Sequence, residues 1–275
     1  MASYPPYFVA KSGSPALDWI AARHALPDWW TAEDPGAELV ARLGALVDDK
    51  ASDTRLRSIA AAITRAGVAW DDRLAGQLPT RVSLTVTFRD TCALKLWAPY
   101  AGDFSELTGL VDWQLPDGYQ RFLRLADGCE AFTPRDIVEH EHYFVLGETA
   151  HYHVGGAAAT ADSTEMLRGE DFLADIFADP DEFDFTADDL ALNAPADHVA
   201  FVADTNSDFV CFHRQFPNAR GEPAVLHWFH DADGGFDESF RRSAAKQPGF
   251  GWWLIAWLWG HVTESDFFPV LRDPP

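Results

Sequence analysis

The spacing of apolar residues changes near residue 82, and this change limits the fold more than any other feature of the sequence. Two earlier segments repeat apolar residues at the three- and four-residue intervals of a helix. The first follows Asp34-Pro35, and the second opens near Asp53 and is followed by Gly67. Asp before Pro is typical of a helix start, and Gly of a helix end. Over 82–88, apolar residues alternate with Ser and Thr, which indicates a half-buried strand. We therefore predict that residues 1–100 form a mainly helical N-terminal extension with one strand near 82–88.

Helical and strand patterns continue beyond residue 100. A capping-box-like pattern starts a helical stripe at Asp103, and a second stripe runs from Tyr119 to a Gly at 128. Four later apolar runs predict strands, at 142–146, 199–203, 209–213 and 224–229. The segment ADTNSD at 203–208 is typical of a hairpin turn. A helix from Asp237 and another near 252–259 close the chain.

Three of these stretches carry a family resemblance. They are LPDGYQRFLRLADG at 115–128, VAFVADTNSDFVCFH at 199–213, and PAVLHWFHDAD at 223–233 with FDESFRRSA at 236–244. They resemble a helix, the central hairpin, and the next strand and closing helix of the SUKH superfamily. That superfamily includes SMI/KNR-type fungal cell-wall regulators and many bacterial immunity proteins. The resemblance implies a SUKH-like α+β domain over 101–265, in which a mixed or antiparallel sheet has helices packed against it. An acidic insertion at about 150–197 would interrupt this domain.

The net charge limits the partners that the chain can bind. Its 43 acidic and 21 basic residues give a formal charge of −22. Such a charge disfavours nucleic acid and anionic membranes, and it favours basic proteins. The longest apolar run falls far short of the roughly 20 residues that span a bilayer, and the N-terminus lacks the features of a signal peptide. Three widely separated cysteines suit a reducing compartment. We therefore expect a cytoplasmic protein, and the oligomeric state stays open.

The acidic stretch EDFLADIFADPDEFDF at 170–185 is the candidate binding site. No Lys or Arg lies between Glu170 and His213. One interpretation is a solvated insertion whose aromatic rings are buried. The other is an electrostatic contact surface, on which acids accelerate association and aromatic residues anchor the partner. The candidate partner-binding residues are Glu170, Asp171, Asp175, Asp179, Asp181, Glu182, Phe183, Asp184 and Phe185.

Two His-x-His pairs offer an alternative, a metal-dependent hydrolase. On a strand, residues i and i+2 point to the same face, so each pair could offer two imidazoles to one ion. The four residues are His140, His142, His151 and His153. The segment from Asp204 to Asp208 matches the start of a calcium loop, but Phe209 stands where that loop requires glycine. No nucleophile elbow, phosphate loop or dinucleotide fingerprint occurs, so no catalytic residue and no cofactor are expected.

The resemblance and the charge together predict a non-enzymatic, protein-binding function. The resemblance implies a bacterial immunity protein that neutralises a toxin by direct occlusion, and the charge favours a basic toxin. A regulatory or scaffolding module of the same fold is the alternative without a toxin. The metal-dependent hydrolase is the alternative from a different class.

Overall fold

The computed structural model describes residues 4–47, 50–73, 82–89, 91–169, 187, 194–203, 209–228 and 249–264. The chain divides into two compact units. Unit 1 comprises Met1–Tyr100, Phe122–Tyr152 and Leu254–Phe267. Unit 2 comprises Ala101–Arg121, His153–Trp253 and Phe268–Pro275. Each unit is therefore assembled from segments that are distant in sequence.

Unit 1 is built on a closed barrel of six strands in the order β1 to β6. Neighbouring strands pair antiparallel from β1 to β5, and β1 also pairs antiparallel with β6. The strands are β1 (Tyr7–Lys11), β2 (Ile63–Asp71), β3 (Val82–Phe88), β4 (Cys92–Trp97), β5 (Cys129–Glu139) and β6 (Tyr143–Val154). The helices before residue 100 are α1 (Pro15–Ala21), α2 (Pro35–Gly44) and α3 (Lys50–Ala62), with a 3-10 turn at Asp28–Trp30.

The expectation of a mainly helical extension with one strand is wrong. The strand at 82–88 is confirmed as β3, but β1, β2 and β4 also lie in the first hundred residues. Helix α3 ends at Ala62, and Gly67 lies inside β2 opposite Lys11 and Thr85. A Cβ on Gly67 would stand 2.2 Å from the carbonyl oxygen of Ala10. Gly67 therefore permits two strands to approach closely and does not end a helix.

The interior of the barrel is partly polar. One strand face carries an apolar cluster whose members come from five of the six strands: Tyr7, Val9, Ala69, Ala93, Phe132, Phe144 and Leu146. Thr85 and Lys95 are cross-strand partners on the same face, and Glu130 is the partner of Lys95 on β5. The Lys95 ammonium lies 5.3 Å from the Tyr7 ring centroid, across the barrel. Every residue of β3 is buried, so the expectation of a half-buried strand is also wrong.

Unit 2 contains a three-stranded antiparallel sheet in the order β7-β8-β9, with helices beside it. Its elements are α4 (Phe104–Val111), the start of α5 (Asp117–Leu125), α6 (Ala157–Gly169), a 3-10 turn (Pro195–Asp197), β7 (His198–Ala203), β8 (Phe209–Pro217), β9 (Pro223–Trp228) and the start of α7 (Phe250–Thr263). The predicted antiparallel pairing of the hairpin strands is confirmed, while its turn at 204–208 and the helix predicted from Asp237 lie outside the described residues. The segment at 150–197, expected as an acidic insertion, contains the end of β6 and all of α6. Helices and antiparallel strands together confirm the α+β class.

An aromatic cluster holds the sheet of unit 2 against two helices. The ring of Tyr119 lies 5.6 Å from that of Phe201 on β7 and 5.5 Å from that of Phe212 on β8. Phe250 of α7 completes the group at 4.8 Å from Tyr119. The Tyr119 hydroxyl bonds to the carbonyl of Gly155 at 2.7 Å and to the Thr160 hydroxyl at 2.6 Å. Within the described part of the chain, no helix has the length and apolar character needed to cross a membrane.

Candidate functional site

The acidic residues chosen from the sequence lie outside the described part of the chain. This applies to all nine, from Glu170 to Phe185. Helix α6 ends at Gly169, immediately before them. Helix α6 is therefore the described element next to these residues in the sequence. In the structure, α6 contacts α4.

Helix α4 forms because its sequence supplies both caps and one apolar face. The Asp103 side chain accepts a hydrogen bond from the backbone N–H of Ser105 at 2.9 Å, which satisfies a free donor of the first turn. Leu107 and Val111 are buried, so this stripe faces the interior. Asp112 ends the helix in the left-handed conformation, with φ of 51°. Leu110, which lies beside this buried stripe, is exposed at 69%.

Helix α6 is fixed on the sheet through a polar contact and an apolar one. The Thr164 hydroxyl accepts from the backbone N–H of Ala200 at 3.1 Å and lies 3.3 Å from its carbonyl oxygen. Leu167 packs in a buried cluster with Ala200 and Phe209. The outward stripe of α6 carries Asp162, Glu165 and Met166, and all three are exposed. Met166 is 50% exposed.

Two arginines hold the C-terminal end of α4. Arg168 of α6 donates to the Val111 carbonyl at 2.8 Å, and Arg214 of β8 donates to the same oxygen at 3.0 Å. Arg214 also donates to the Asp112 carbonyl. Burial lowers the pKa of Arg168, the nearby Arg214 lowers it further, and Asp112 opposes the shift. Guanidinium groups at a helix C-terminus satisfy its free carbonyls and complement the helix dipole. Both cations are thus engaged with the backbone of α4.

The result is an acidic surface on two helices that contact each other. We call it the α4–α6 face, and it comprises Asp103, Glu106, Leu110, Asp112, Asp162, Glu165 and Met166. Its carboxylates are all exposed, and so are its two large apolar side chains, Leu110 and Met166. Residues 101–120 contain no Lys or Arg. Carboxylates of one sign attract basic groups, while exposed apolar side chains supply contact area that charge alone does not.

The histidines of the alternative metal site are distributed over a turn and a strand. His140 and His142 belong to the turn between β5 and β6, so the strand geometry assumed for this pair does not apply. The His140 ring stacks on Tyr143 at 4.4 Å, and the His142 Nε2 lies 3.7 Å from a Glu141 carboxylate oxygen. His151 and His153 do lie on β6. Among the described residues, no three His, Cys, Asp or Glu side chains come together as a metal site would require.

Burial keeps the three cysteine thiols and the His198 ring in their neutral forms. Burial raises the pKa of the Cys92 thiol to about 12 and raises the pKa values of Cys129 and Cys211 further. These thiols are therefore protonated and poor nucleophiles at neutral pH. His198 and His213 are cross-strand partners with ring centroids 4.7 Å apart. Burial, and then His213, lower the pKa of His198 to about 3.

Sequence reasoning did not identify the arginines that hold α4 or the histidine pair. Arg168 and Arg214 are separated from Val111 by 57 and 103 positions, so no local motif links them. The lack of Lys and Arg in residues 101–120 is the sequence feature from which the acidic face could have been predicted. Comparison with protein-family models, with curated proteins and with solved structures finds no match to the chain. The α4–α6 face is therefore defined by its own geometry and charge.

Proposed function

We propose that the chain is a non-enzymatic, SUKH-like binding protein that neutralises a basic bacterial toxin by occluding it. The observation that carries the proposal is the α4–α6 face, where two helices in contact expose both carboxylates and the apolar side chains of Leu110 and Met166. A basic protein would be attracted by the charge and anchored by the two apolar side chains. Electrostatic attraction of this kind increases association rates, and it weakens as the ionic strength rises.

The packing of unit 2 gives separate support for the SUKH likeness. Each of the stretches at 115–128 and 199–213 contributes to the aromatic cluster, through Tyr119 and through Phe201 and Phe212. The third stretch begins with β9, which pairs with β8. Segments that resemble one family's elements thus meet around a common core. A cytoplasmic location belongs to the proposal, and three buried, free cysteines support it.

The proposal is tested by capture of a partner at low salt. The immobilised chain is incubated with native lysate, and bound proteins are identified by mass spectrometry. We expect a small basic protein in stoichiometric yield, released by raising the salt. Expressing the captured protein alone should arrest growth, and co-expression with this chain should restore it. A captured protein without toxicity would instead favour the regulatory or scaffolding alternative.

Charge-matched variants test whether the face is responsible. Glu106→Gln, Asp162→Asn and Glu165→Gln together remove three charges from the face. We expect capture to weaken about tenfold or more, since each exposed charge contributes up to about 1 kcal/mol. The control removes three exposed charges from unit 1 through Asp18→Asn, Asp28→Asn and Glu33→Gln.

A second variant examines the acidic stretch beyond α6, through neutralisation of Asp179, Asp181, Glu182 and Asp184. If both acidic variants capture the partner as well as the control does, neither surface is the contact site. If the isolated chain turns over a substrate, and a single substitution abolishes that turnover, the proposal of a non-enzymatic function is refuted.

A further inference from the structure

Arg168 and Arg214 of unit 2 form a pair of adjacent cations. The Nη2 group of Arg168 donates to the Val111 carbonyl at 2.8 Å, and that of Arg214 donates to the same oxygen at 3.0 Å. Two guanidinium groups that meet at one oxygen atom repel each other. Arg214 also donates to the Asp112 carbonyl, so it reaches both of these carbonyls by itself. Capping of α4 therefore accounts for one arginine and leaves the presence of the second unexplained.

No carboxylate within the described ranges forms an ion pair with these two arginines. Elsewhere in the structure, Arg57 and Arg73 lie 3.2 Å and 2.6 Å from a carboxylate oxygen. Asp112 is close enough to raise the pKa of Arg168, but burial and the adjacent Arg214 lower it. The Asp112 side chain is exposed, and Arg214 bonds only to its backbone carbonyl. The pair therefore keeps two positive charges in a chain whose formal net charge is −22.

Both guanidinium groups have hydrogen-bond donors that the protein does not use. Their Nε–H groups are buried and have no acceptor among the described residues. Their Nη1 groups make no hydrogen bond in the same part of the chain, and these groups are not buried. Trp113 borders the pair, with its ring centroid 5.7 Å from Arg214 Cζ, and all three residues are partly exposed. Two planar guanidinium groups match the several oxygens and double charge of a phosphate better than they match one carboxylate.

We propose that Arg168 and Arg214 bind a phosphate group, which the two guanidinium groups hold between them beside Trp113. The phosphate neutralises the pair and removes the repulsion between the two cations. The Asp112 carboxylate lies close to the site and carries the same sign as the ligand, so it limits the affinity. The proposal concerns a small ligand and does not depend on the protein partner proposed for the α4–α6 face.

Isothermal titration of the full chain with inorganic phosphate, at low salt and neutral pH, tests the proposal. We expect saturable binding at one site. Arg168→Gln should weaken binding about tenfold or more, since a charge-assisted hydrogen bond is lost while Arg214 still caps α4. Arg57→Gln is the matched control, because it removes an exposed cation from α3 in unit 1 and should leave the affinity unchanged. Glycerol 3-phosphate identifies the source of the phosphate: tighter binding than that of inorganic phosphate indicates an organic ester, and any other result indicates the free ion.

Asp112→Asn separates a binding role of the arginines from a purely structural one. Asn adopts the left-handed conformation of Asp112 as readily as Asp does, so α4 should keep its C-terminus. The variant should bind phosphate about threefold more tightly, because a nearby charge of the same sign is removed. The proposal is overturned if phosphate shows no saturable binding, or if Asp112→Asn fails to tighten it. It is also overturned if acetate binds as tightly as phosphate, because the two guanidinium groups would then not select phosphate.

Discussion

Two threonines on one strand of the barrel should respond in opposite ways to the same substitution. Thr85 and Thr87 point to the same face of β3, and both are fully buried. The Thr85 hydroxyl has no hydrogen-bond partner among the described residues. The Thr87 hydroxyl lies 3.0 Å from that of Thr64. We predict that Thr85→Val stabilises the protein and that Thr87→Val destabilises it.

The magnitudes follow from the environment of each hydroxyl. A buried hydroxyl without a partner costs about 1–3 kcal/mol in desolvation. Val replaces the hydroxyl with a methyl group of similar size and suits a strand, so Thr85→Val should gain about 1 kcal/mol. Thr87→Val gives up a hydrogen bond with a net value of about 0.5–1.5 kcal/mol. The two variants should therefore differ by about 2 kcal/mol in the free energy of unfolding.

Thermal and urea unfolding of both variants, followed by circular dichroism, provide the measurement. A change of 1 kcal/mol corresponds to a shift of about 2–4 °C in Tm for a chain of this size. The melting temperature should rise for Thr85→Val and fall for Thr87→Val. If Thr85→Val destabilises the protein as much as Thr87→Val does, the Thr85 hydroxyl has a partner in solution and the argument fails.

Two further predictions concern a glycine and a histidine. Gly67→Ala should destabilise by about 3 kcal/mol or more in urea unfolding, because its Cβ would stand 2.2 Å from the Ala10 oxygen. Its control is Gly109→Ala, which should stabilise α4 by about 0.5–1 kcal/mol because the added Cβ meets nothing within 4 Å. If both variants lower the free energy of unfolding equally, the steric argument is wrong. Folding lowers the pKa of His198 from 6.5 to about 3, so stability is fully present above pH 6.5 and falls as the pH decreases towards 3. At pH 4.5 the free energy of unfolding should be about 2–3 kcal/mol lower than at neutral pH. Urea unfolding at a series of pH values measures this decrease. If the His198→Gln variant shows the same decrease, His198 is not its source.

The candidate site shows where sequence reasoning succeeds and where it stops. The helix start at Asp103 was predicted from its capping pattern, and the structure places that side chain on the Ser105 N–H. A cap is a contact between near neighbours, so the sequence contains it. The two arginines bind the end of α4 from α6 and β8, and only folding brings them there. The same applies to the ion pair between Lys11 at the end of β1 and Glu139 at the end of β5, which only folding brings together.

The sequence by itself determined the charge and some of the local elements. Capped helices, the strand at 82–88 and the antiparallel pairing of β7 with β8 all depend on residues that are close along the chain. The tertiary structure alone decided that β1 pairs with β6 and closes a barrel around Lys95 and Thr85. Apolar spacing reports which residues avoid water, but it does not report which strands pair. Barrel closure joins residues more than 130 positions apart, and the free energy that selects it comes from the whole packed interior.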